Sequence, residues 1–291
     1  MRNSNIQGIL LMLAAMASLS LMDGTMKQLS GHYPPLQVAA LRGLVSIPFL
    51  LAWVWWRERG FTTLVNVRWR WHLMRGALAV IMLTSFIYAI SQMPLSETYT
   101  LFFIAPLLIT ALSVPLLGET VEWQRWLAIA IGFGGVLIAL RPGFNTIGWS
   151  AVAALVGATC YALNVLSVRL LGRTDTSAAM AFWFVVFLAI GAGALAAPGW
   201  VPLQAGDAWW LLGMGVTGAL GQLLITEAFK RAPASIVAPF EYSSLFWGLL
   251  LDLAIFGQLP GMAVWAGAAV VVGSGLYLLR RERIPQPVTP P

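Results

Sequence analysis

The sequence has 291 residues, of which 59% are hydrophobic and 10% are charged, and its net charge is +6. Soluble domains carry about 25% charged residues, so this composition excludes an ordinary soluble domain and indicates a membrane-embedded chain. Lys and Arg lie between apolar runs rather than in one patch, which argues against a nucleic-acid surface. Cys160 is the single cysteine, and an intrachain disulfide is therefore excluded.

Ten apolar runs follow one another along the chain, each close to the roughly 20 residues that a bilayer crossing needs. Clusters of Pro, Gly, Ser and Asn separate many of them, as expected for turns. The runs are 6–29, 36–56, 72–92, 97–117, 123–140, 147–171, 177–197, 207–230, 235–256 and 261–279. The basic, Pro-rich segment 281–291 is predicted to be a disordered cytoplasmic tail. The sequence therefore predicts an all-α membrane protein with ten transmembrane helices.

The distribution of Lys and Arg predicts how the chain is oriented. If the N-terminus lies in the cytoplasm and ten helices follow, every basic residue except Lys27, Arg42 and Arg141 falls at the cytoplasmic side. Basic residues favour that side of membrane proteins. We therefore predict a multi-pass protein of a bacterial inner membrane with both termini in the cytoplasm.

The two halves of the chain resemble each other at a fixed offset. Residues 88–138 align without a gap with residues 227–277. The match pairs Ala89 with Ala228, Pro94 with Pro233, Ser96 with Ser235, Gly118 with Gly257, Trp126 with Trp265 and Gly134 with Gly273. This indicates two five-helix repeats, 1–141 and 142–280, with a chance match between apolar segments as the alternative. Because five is odd, the second repeat would be inverted in the membrane, an arrangement typical of secondary transporters.

Several of these motifs resemble the EamA domain of the drug/metabolite transporter (DMT) superfamily. The points of match are Pro94, Pro106, Gly118–Glu119, Trp126 and the closing glycines of "GFGG". The second half departs from the pattern, because Gln258 replaces the Glu and Leu245 replaces the second Pro. Pro239 lies in the same run and is the expected helix break there.

This resemblance implies ten helices, no nucleotide cofactor and export of amino acids or related metabolites. Within the family, the chain is similar to the bacterial exporters of aromatic amino acids of the YddG type. We therefore expect export of amino acids, including aromatic and neutral ones, by alternating access. Other small metabolites, drugs or nucleosides are the alternative substrates, and a channel is the alternative mechanism. The expected partners are the substrate and the lipid bilayer, and the chain is expected to be a monomer or a homodimer.

No enzyme activity, cofactor or metal site is expected from the residues themselves. The two histidines, His32 and His72, lie at loop edges on opposite faces of the predicted membrane protein, so they cannot form a catalytic or metal-binding pair. There is no Gly-rich phosphate loop, which argues against direct use of ATP.

Three charged residues lie inside the first two apolar runs. Asp23 and Lys27 are four residues apart in the first run, and Arg42 lies in the second. Charges within a membrane are costly and are expected to face the protein interior and to pair. We expect Asp23 to pair with both Lys27 and Arg42 as a structural network. An outer-side switch, or an anchor for a substrate carboxylate on Arg42, is the functional alternative.

Repeat symmetry predicts a substrate site between the third, fourth, eighth and ninth helices, with the first, second, sixth and seventh beside them. The polar and aromatic candidates near these midplanes are Thr84, Ser85, Tyr88, Tyr99, Phe102, Phe103, Tyr161, Asn164, Trp183, Gln222, Glu241, Tyr242, Ser243 and Ser244. A few hydrogen-bonding groups between aromatic walls suit a neutral or zwitterionic ligand. The alternative is that the hydroxyls bond their own backbone and the rings only fill the bundle.

Four prolines are the predicted helix breaks or gates: Pro94, Pro106, Pro233 and Pro239. A proline removes one backbone hydrogen bond and can expose a carbonyl group inside the membrane. Among the acids, Glu241 is a candidate for proton coupling or for binding an amine, whereas Glu97 and Asp252 are expected to be solvated near the outer interface.

Overall fold

The computed structural model describes residues 2–58, 60–65, 67–117, 123–140, 148–171, 174–231, 238–258 and 260–282. All regular secondary structure in these ranges is helical. The helices are α1 Arg2–Leu29, α2 Pro35–Glu58, α3 Thr62–Val65, α4 Trp69–Gln92, α5 Leu95–Phe102, α6 Ala105–Leu117, α7 Trp123–Leu140, α8 Trp149–Leu171, α9 Ser177–Ala196, α10 Ala208–Arg231, α11 Ser243–Ala254 and α12 Met262–Glu282. Short 3₁₀ turns lie at Ala197–Gly199, Ala205–Asp207 and Ala238–Tyr242. Helix α12 continues two residues into the predicted tail, and the rest of that tail lies outside the described residues.

Six of the described helices are long and apolar enough to cross a membrane. They are Ile6–Leu29, Pro35–Arg57, Trp69–Gln92, Trp149–Val168, Ser177–Gly199 and Ala205–Ala228. Leu95–Ile109 and Met262–Ser274 are shorter apolar stretches. Trp149 and Trp209 are about four-fifths exposed, at 78% and 80%, next to the start of long helices, which suits the interface between lipid and water. The chain is therefore a multi-helix membrane protein.

The helices pack in a small number of close pairs. Helix α1 lies against α10 and α11, α2 lies against α9 and α10, and α4 lies against α8 and α9. Helices α5 and α6 contact α8, and α7 pairs with α12. We name the two ends of this bundle after Tyr33 and Arg75. The Tyr33 end contains the turn between α1 and α2, and the Arg75 end contains the first turns of α4.

Glycines allow several helix backbones to approach closely. A methyl group added at Gly43 of α2 would lie 2.7 Å from the carbonyl oxygen of Val185 in α9. One added at Gly215 of α10 would lie 2.6 Å from the carbonyl oxygen of Val45 in α2. Within membranes, where helices gain little from the hydrophobic effect, such close contacts stabilise packing. The glycine motif of the fifth apolar run also contributes to packing between helices of this chain, because Gly135 of α7 packs against the side chain of Val270 in α12.

We expect Gly43→Ala to lower the melting temperature of the purified protein by several degrees. The added methyl group cannot fit against the backbone of α9, and overpacking of this kind costs about 1–3 kcal/mol. Gly193→Ala is the matched control at the same interface, since its methyl group would lie at an ordinary 3.8 Å from Ala40. Equal melting temperatures for the two variants would contradict the close packing of α2 on α9.

The helices of two apolar runs are interrupted near prolines. The fourth apolar run is divided into α5 and α6 at positions 103–104, two residues before Pro106, which has no N–H to donate to Phe102. In the ninth run, the 3₁₀ turn Ala238–Tyr242 contains Pro239 and leads directly into α11. Pro94 precedes the first residue of α5. The side chains of Pro106 and Pro239, and the whole of Pro233, lie outside the described part of the chain.

Candidate functional site

Six aromatic side chains of the hydrophobic core contact one another in two groups, one of four rings and one of two. We call them together the aromatic site: Phe86, Tyr99, Phe102 and Tyr161, and Phe103 and Tyr242. The ring of Phe86 is stacked on Tyr99 with centroids 6.2 Å apart, and it meets Phe102 edge-on at 5.3 Å. Phe102 in turn lies 5.5 Å from Tyr161 of α8. Phe103, just after α5, meets Tyr242 of the 3₁₀ turn edge-on at 5.0 Å. The break between α5 and α6 therefore lies in the wall of this site.

Two polar groups on the elements that carry these rings lack hydrogen-bond partners in the described part of the chain. The hydroxyl of Tyr242 and Oγ1 of Thr84 are buried and make no hydrogen bond among the described residues. Glu241 is half-buried, has no salt bridge within the described ranges, and lies close enough to act electrostatically on Tyr161 and Tyr242. The site thus combines aromatic rings with the unpartnered hydroxyl of Tyr242 and the carboxylate of Glu241, a combination that suits an aromatic ligand with hydrogen-bonding groups.

The other predicted site residues on the 3₁₀ turn and on α4 and α10 play smaller parts. The hydroxyls of Ser243 and Ser244 donate to the carbonyls of Phe240 and Glu241, each at 2.7 Å. These two serines therefore brace the 3₁₀ turn, as the backbone-bonding alternative expects. Ser85 and Gln222 are half-buried.

Three predicted site residues lie elsewhere. Tyr88 is 37% exposed on α4 and takes no part in the ring contacts of the aromatic site. The indole N–H of Trp183 donates to the carbonyl of Leu64 at 2.9 Å, so this side chain fixes α3 to α9 near the Arg75 end. Asn164 is buried and held by Arg75. These three side chains therefore lie apart from the ring contacts of the aromatic site, because a position along an apolar run does not determine which face of its helix meets the site.

A buried ion pair joins three elements at the Tyr33 end. The carboxylate of Asp252, which is fully buried in α11, accepts hydrogen bonds from the backbone N–H groups of Leu95 and Ser96 at 3.0 and 2.8 Å. The Ser96 hydroxyl donates to the same carboxylate at 2.7 Å. Lys27 of α1 completes the group with its Nζ 3.5 Å from Asp252 Oδ1. We call Lys27, Ser96 and Asp252 the latch.

Lys27 also binds groups on both sides of Asp252. Its Nζ donates to the carbonyl of Met93 at 3.1 Å and to Oε1 of Gln258 at 3.3 Å. The ammonium group lies 4.7 Å from the ring centroid of Phe256, within the range of a cation–π contact. The latch therefore connects α1, the first turn of α5, α11 and the segment that follows α11.

Two sequence-based expectations at this end are wrong. Asp252 is buried and not solvated. Pro94, which precedes α5, has no side chain that can cap the free N–H groups at the start of that helix, and Asp252 of α11 accepts their hydrogen bonds instead. Lys27 pairs with Asp252 and not with Asp23. Asp23 instead accepts a 2.6 Å hydrogen bond from the hydroxyl of Tyr99, and no salt bridge within 4 Å joins it to Arg42 among the described residues.

Hydrogen bonds also fix the turn between α1 and α2 to the start of α10. The Tyr33 hydroxyl donates to Asp207 Oδ2 at 2.7 Å and accepts the N–H of Gln204 at 2.9 Å. Burial, together with the neighbouring Asp207 carboxylate, raises the pKa of the Tyr33 phenol. Gln37 exchanges two hydrogen bonds with the backbone of Val201, at 2.7 and 2.9 Å. Sequence reasoning missed these contacts, since they join loops that are far apart in the chain.

A second polar group ties α4 to α8 and to the turn before α9 at the Arg75 end. Arg75 Nε donates to Asn164 Oδ1, and Asn164 Nδ2 donates to the Arg75 carbonyl, both at 3.1 Å. His72 Nε2 lies 2.8 Å from Asp175 Oδ2. Although burial opposes it, hydrogen bonds from His72, Thr174 and the N–H of Arg68 lower the pKa of the Asp175 carboxyl. His72 and Arg75 are therefore buried in the first turns of α4.

Comparison with known proteins assigns the fold to a transporter family. The profile of the EamA-like transporter family matches residues 6–141 and again residues 148–280. A riboflavin transporter of Rhizobium johnstonii is 31% identical over 242 residues, which cover 82% of this chain and 78% of that protein. An S-adenosylmethionine uptake transporter of Rickettsia bellii is 26% identical over 281 residues, which cover 95% of this chain and 94% of that protein. One crystal structure superposes with a TM-score of 0.68 at 18% identity, covering 97% of this chain and 99% of that one.

Proposed function

Because the chain belongs to the EamA-like transporter family of the DMT superfamily, we propose that it carries a small aromatic metabolite across a bacterial inner membrane. The aromatic site is the observation that supports this proposal. Its rings come from α4, α5, α8 and the 3₁₀ turn, and aromatic stacking is worth about 0.5–1.5 kcal/mol per pair beyond the area buried. A flat ligand is the kind of molecule that such walls hold.

Riboflavin, or a molecule of the same chemical type, is the first candidate. It has a flat ring system with a polar edge and a chain of hydroxyl groups, which suit the aromatic rings and the unpartnered hydroxyl of Tyr242. A relative of 31% identity carries the name riboflavin transporter.

Aromatic amino acids, the substrates expected from the sequence, are the second candidate. The half-buried carboxylate of Glu241 favours them, because an ammonium group would give it the charged partner that it lacks among the described residues. The same carboxylate would suit other cationic metabolites that carry a ring. The direction of export, from the cytoplasm outward, remains part of this proposal.

Helix pairing supports the proposed architecture of ten crossings in two inverted repeats, 1–141 and 142–280. In this scheme α5 with α6 forms the fourth crossing, and the 3₁₀ turn with α11 forms the ninth. Exchanging the halves maps the pair α1–α10 onto α8–α4, the pair α4–α9 onto α10–α2, and the pair α1–α11 onto α8–α6. All of these pairs are in contact, while α2–α9 and α7–α12 map onto themselves. The Tyr33 end would then face outward and the Arg75 end the cytoplasm, with both termini cytoplasmic.

Counterflow in proteoliposomes tests the function. Vesicles are loaded with unlabelled riboflavin, phenylalanine or tryptophan, and entry of a labelled trace of each is followed with unlabelled competitors. We expect saturable entry for at least one aromatic compound and little for alanine. Flat traces for every compound, from protein that remains monodisperse, would overturn the proposed substrate class. Ion conductance without saturable flux would favour a channel.

Glu241→Gln separates the two candidates. If the substrate carries an ammonium group, we expect the variant to raise its KM by about tenfold or more, since a buried hydrogen bond to a charged group is worth about 1.5–3 kcal/mol. If the substrate is neutral, as riboflavin is, the KM should change by less than about threefold. Glu227→Gln, which removes an acid paired with Arg231 near the cytoplasmic end of α10, is the matched control.

A further inference from the structure

Asp23 lies in a buried polar cluster that shares only Tyr99 with the aromatic site and no residue with the latch. The cluster consists of Ser20 and Asp23 of α1, Arg42 of α2 and Tyr99 of α5, and at most 9% of each residue is exposed. Asp23 Oδ2 accepts one hydrogen bond, from the Tyr99 hydroxyl at 2.6 Å. Ser20 Oγ lies near that hydroxyl, and Arg42 Nη1 makes no hydrogen bond within the described part of the chain.

Arg42 faces Asp23 without binding it. Its Nε donates to the sulfur of Met22 at 3.1 Å, and its guanidinium carbon lies 5.8 Å from the centroid of the Phe184 ring. A buried Arg and a buried Asp gain most when they make a direct, bidentate contact. Here the guanidinium is close enough to act electrostatically on the carboxylate, but more than 4 Å separates them in the described structure.

The two buried aspartates of this region differ in how well their charge is satisfied. Asp252 accepts three hydrogen bonds from Leu95 and Ser96 and pairs with Lys27. Asp23 has one neutral donor and no ion pair within 4 Å among the described residues. A buried carboxylate with so few partners is costly when ionised and gains from binding a proton. Asp23 is therefore equipped to bind a proton.

We propose that Asp23 is a proton-binding site, and that proton movement through it is coupled to transport by Tyr99. The inference rests on the proposed transport function. A proton binds the Asp23 carboxylate from one side of the membrane and leaves to the other side in the course of the transport cycle. No covalent bond forms or breaks besides the O–H bond of this carboxyl group.

Tyr99 is in a position to report the state of Asp23 to the substrate. Its hydroxyl binds the carboxylate, while its ring forms a wall of the aromatic site by stacking on Phe86. The same ring lies against α11, because a methyl group added at Gly248 would come within 2.7 Å of it. Protonation weakens the hydrogen bond from Tyr99 and removes the opposite charge facing Arg42. One side chain therefore responds both to the proton and to the substrate.

The charged and titratable groups around Asp23 are few. Arg42 faces it from α2 and Tyr99 from α5, which also carries Glu97. Lys27 is one turn further along α1 and is engaged by Asp252 of α11. Glu241 and Tyr242 belong to the 3₁₀ turn that contacts α1, and α4 contributes the exposed Tyr88 toward this end. Helix α10 has no titratable residue between its start and Glu227.

Proteoliposomes provide a test that separates coupling from transport. Labelled riboflavin is the probe, or labelled phenylalanine if only that compound exchanges, and pyranine inside the vesicles reports protons. Exchange is measured at equal pH on both sides, and accumulation is measured with a pH gradient. For the wild-type protein we expect a gradient to drive accumulation together with proton flux. For Asp23→Asn we expect exchange within about threefold of wild type and accumulation reduced by about tenfold or more.

Tyr99→Phe and Glu227→Gln complete the test. Loss of the Tyr99 hydroxyl removes a donor that favours the ionised carboxylate, so the pH midpoint of transport should move to higher pH while accumulation persists. Glu227→Gln should leave both measurements unchanged.

Two results would overturn the proposal. One is accumulation by Asp23→Asn at the wild-type level, and the other is a wild-type protein that exchanges the probe but does not accumulate it under a pH gradient. If Asp23→Asn cannot be reconstituted, an unchanged midpoint in Tyr99→Phe overturns it. If no probe exchanges even in wild type, the proposed function itself fails and the coupling falls with it.

Discussion

Replacing Asp252 by asparagine is expected to reduce exchange by about tenfold or more and to open the Tyr33 end. The change removes the ion pair with Lys27 and turns an acceptor of three hydrogen bonds into a group with an amide NH₂ facing N–H donors. Removing one partner of a buried ion pair costs about 3–5 kcal/mol. If that free energy stabilises only the closed arrangement of this end, the population of the open arrangement rises by about a hundredfold or more.

The measurement for the latch combines transport with a double-mutant cycle. Lys27→Met alone should be as damaging as Asp252→Asn, because each leaves a buried charge without its partner. The double variant should cost less than the sum of the two, since both charges are then absent. Gln258→Ala is the control, because it removes a neutral hydrogen bond to Lys27 at an exposed position. Strictly additive effects of Lys27→Met and Asp252→Asn would contradict the latch.

Phe102→Ala is expected to raise the KM for an aromatic substrate by about tenfold or more. Phe102 bridges Phe86 and Tyr161, and its removal opens the wall between α5 and α8. Burying a ring of this size is worth about 1.5–3 kcal/mol. Because Phe102 ends α5 and precedes the break, the variant should also lower the melting temperature to a small extent.

The matched control for Phe102→Ala is Phe246→Ala on α11. Phe246 is 61% exposed, and its ring contacts Trp247 and not a ring of the aromatic site, so its loss should leave KM within about twofold of wild type. If both alanine variants changed KM equally, the aromatic site would not be the place where the substrate binds.

The helical fold was predictable because the length and composition of apolar runs decide it. The start of α9 after Thr176, and the division of the fourth run near Pro106, both follow from local chemistry that the sequence displays. The rings of Phe102, Phe103, Tyr161 and Tyr242 were also identified as candidates, since aromatic residues near predicted midplanes are few. Their mutual contacts, however, depend on how helices rotate against one another.

The partners of buried charges could not be predicted in the same way. Asp252 lies near the end of an apolar run and reads as an interfacial acid, but the N–H groups that it caps belong to α5, more than 150 residues earlier. Trp183 lies inside an apolar run, but its hydrogen-bond acceptor is the carbonyl of Leu64 in the short helix α3, a segment that reads as a loop. In both cases the deciding contact is tertiary, and local periodicity contains no signal for it.

The central claim is that the two ends of the bundle open in turn around the aromatic site. Its most direct test uses Ser96→Cys at the Tyr33 end and Ser167→Cys at the Arg75 end, each in a Cys160→Ala background. Both serines are buried, at 0% and 3% exposure, so either thiol reacts with a maleimide only when its own end opens. The labelling rate of each thiol is measured in nanodiscs, with and without the substrate found by counterflow. Alternating access predicts that the rate at one position rises as the other falls, and that Asp252→Asn accelerates labelling at position 96 while slowing it at position 167. Rates that rise together, as in a channel or a loosened bundle, would contradict the account.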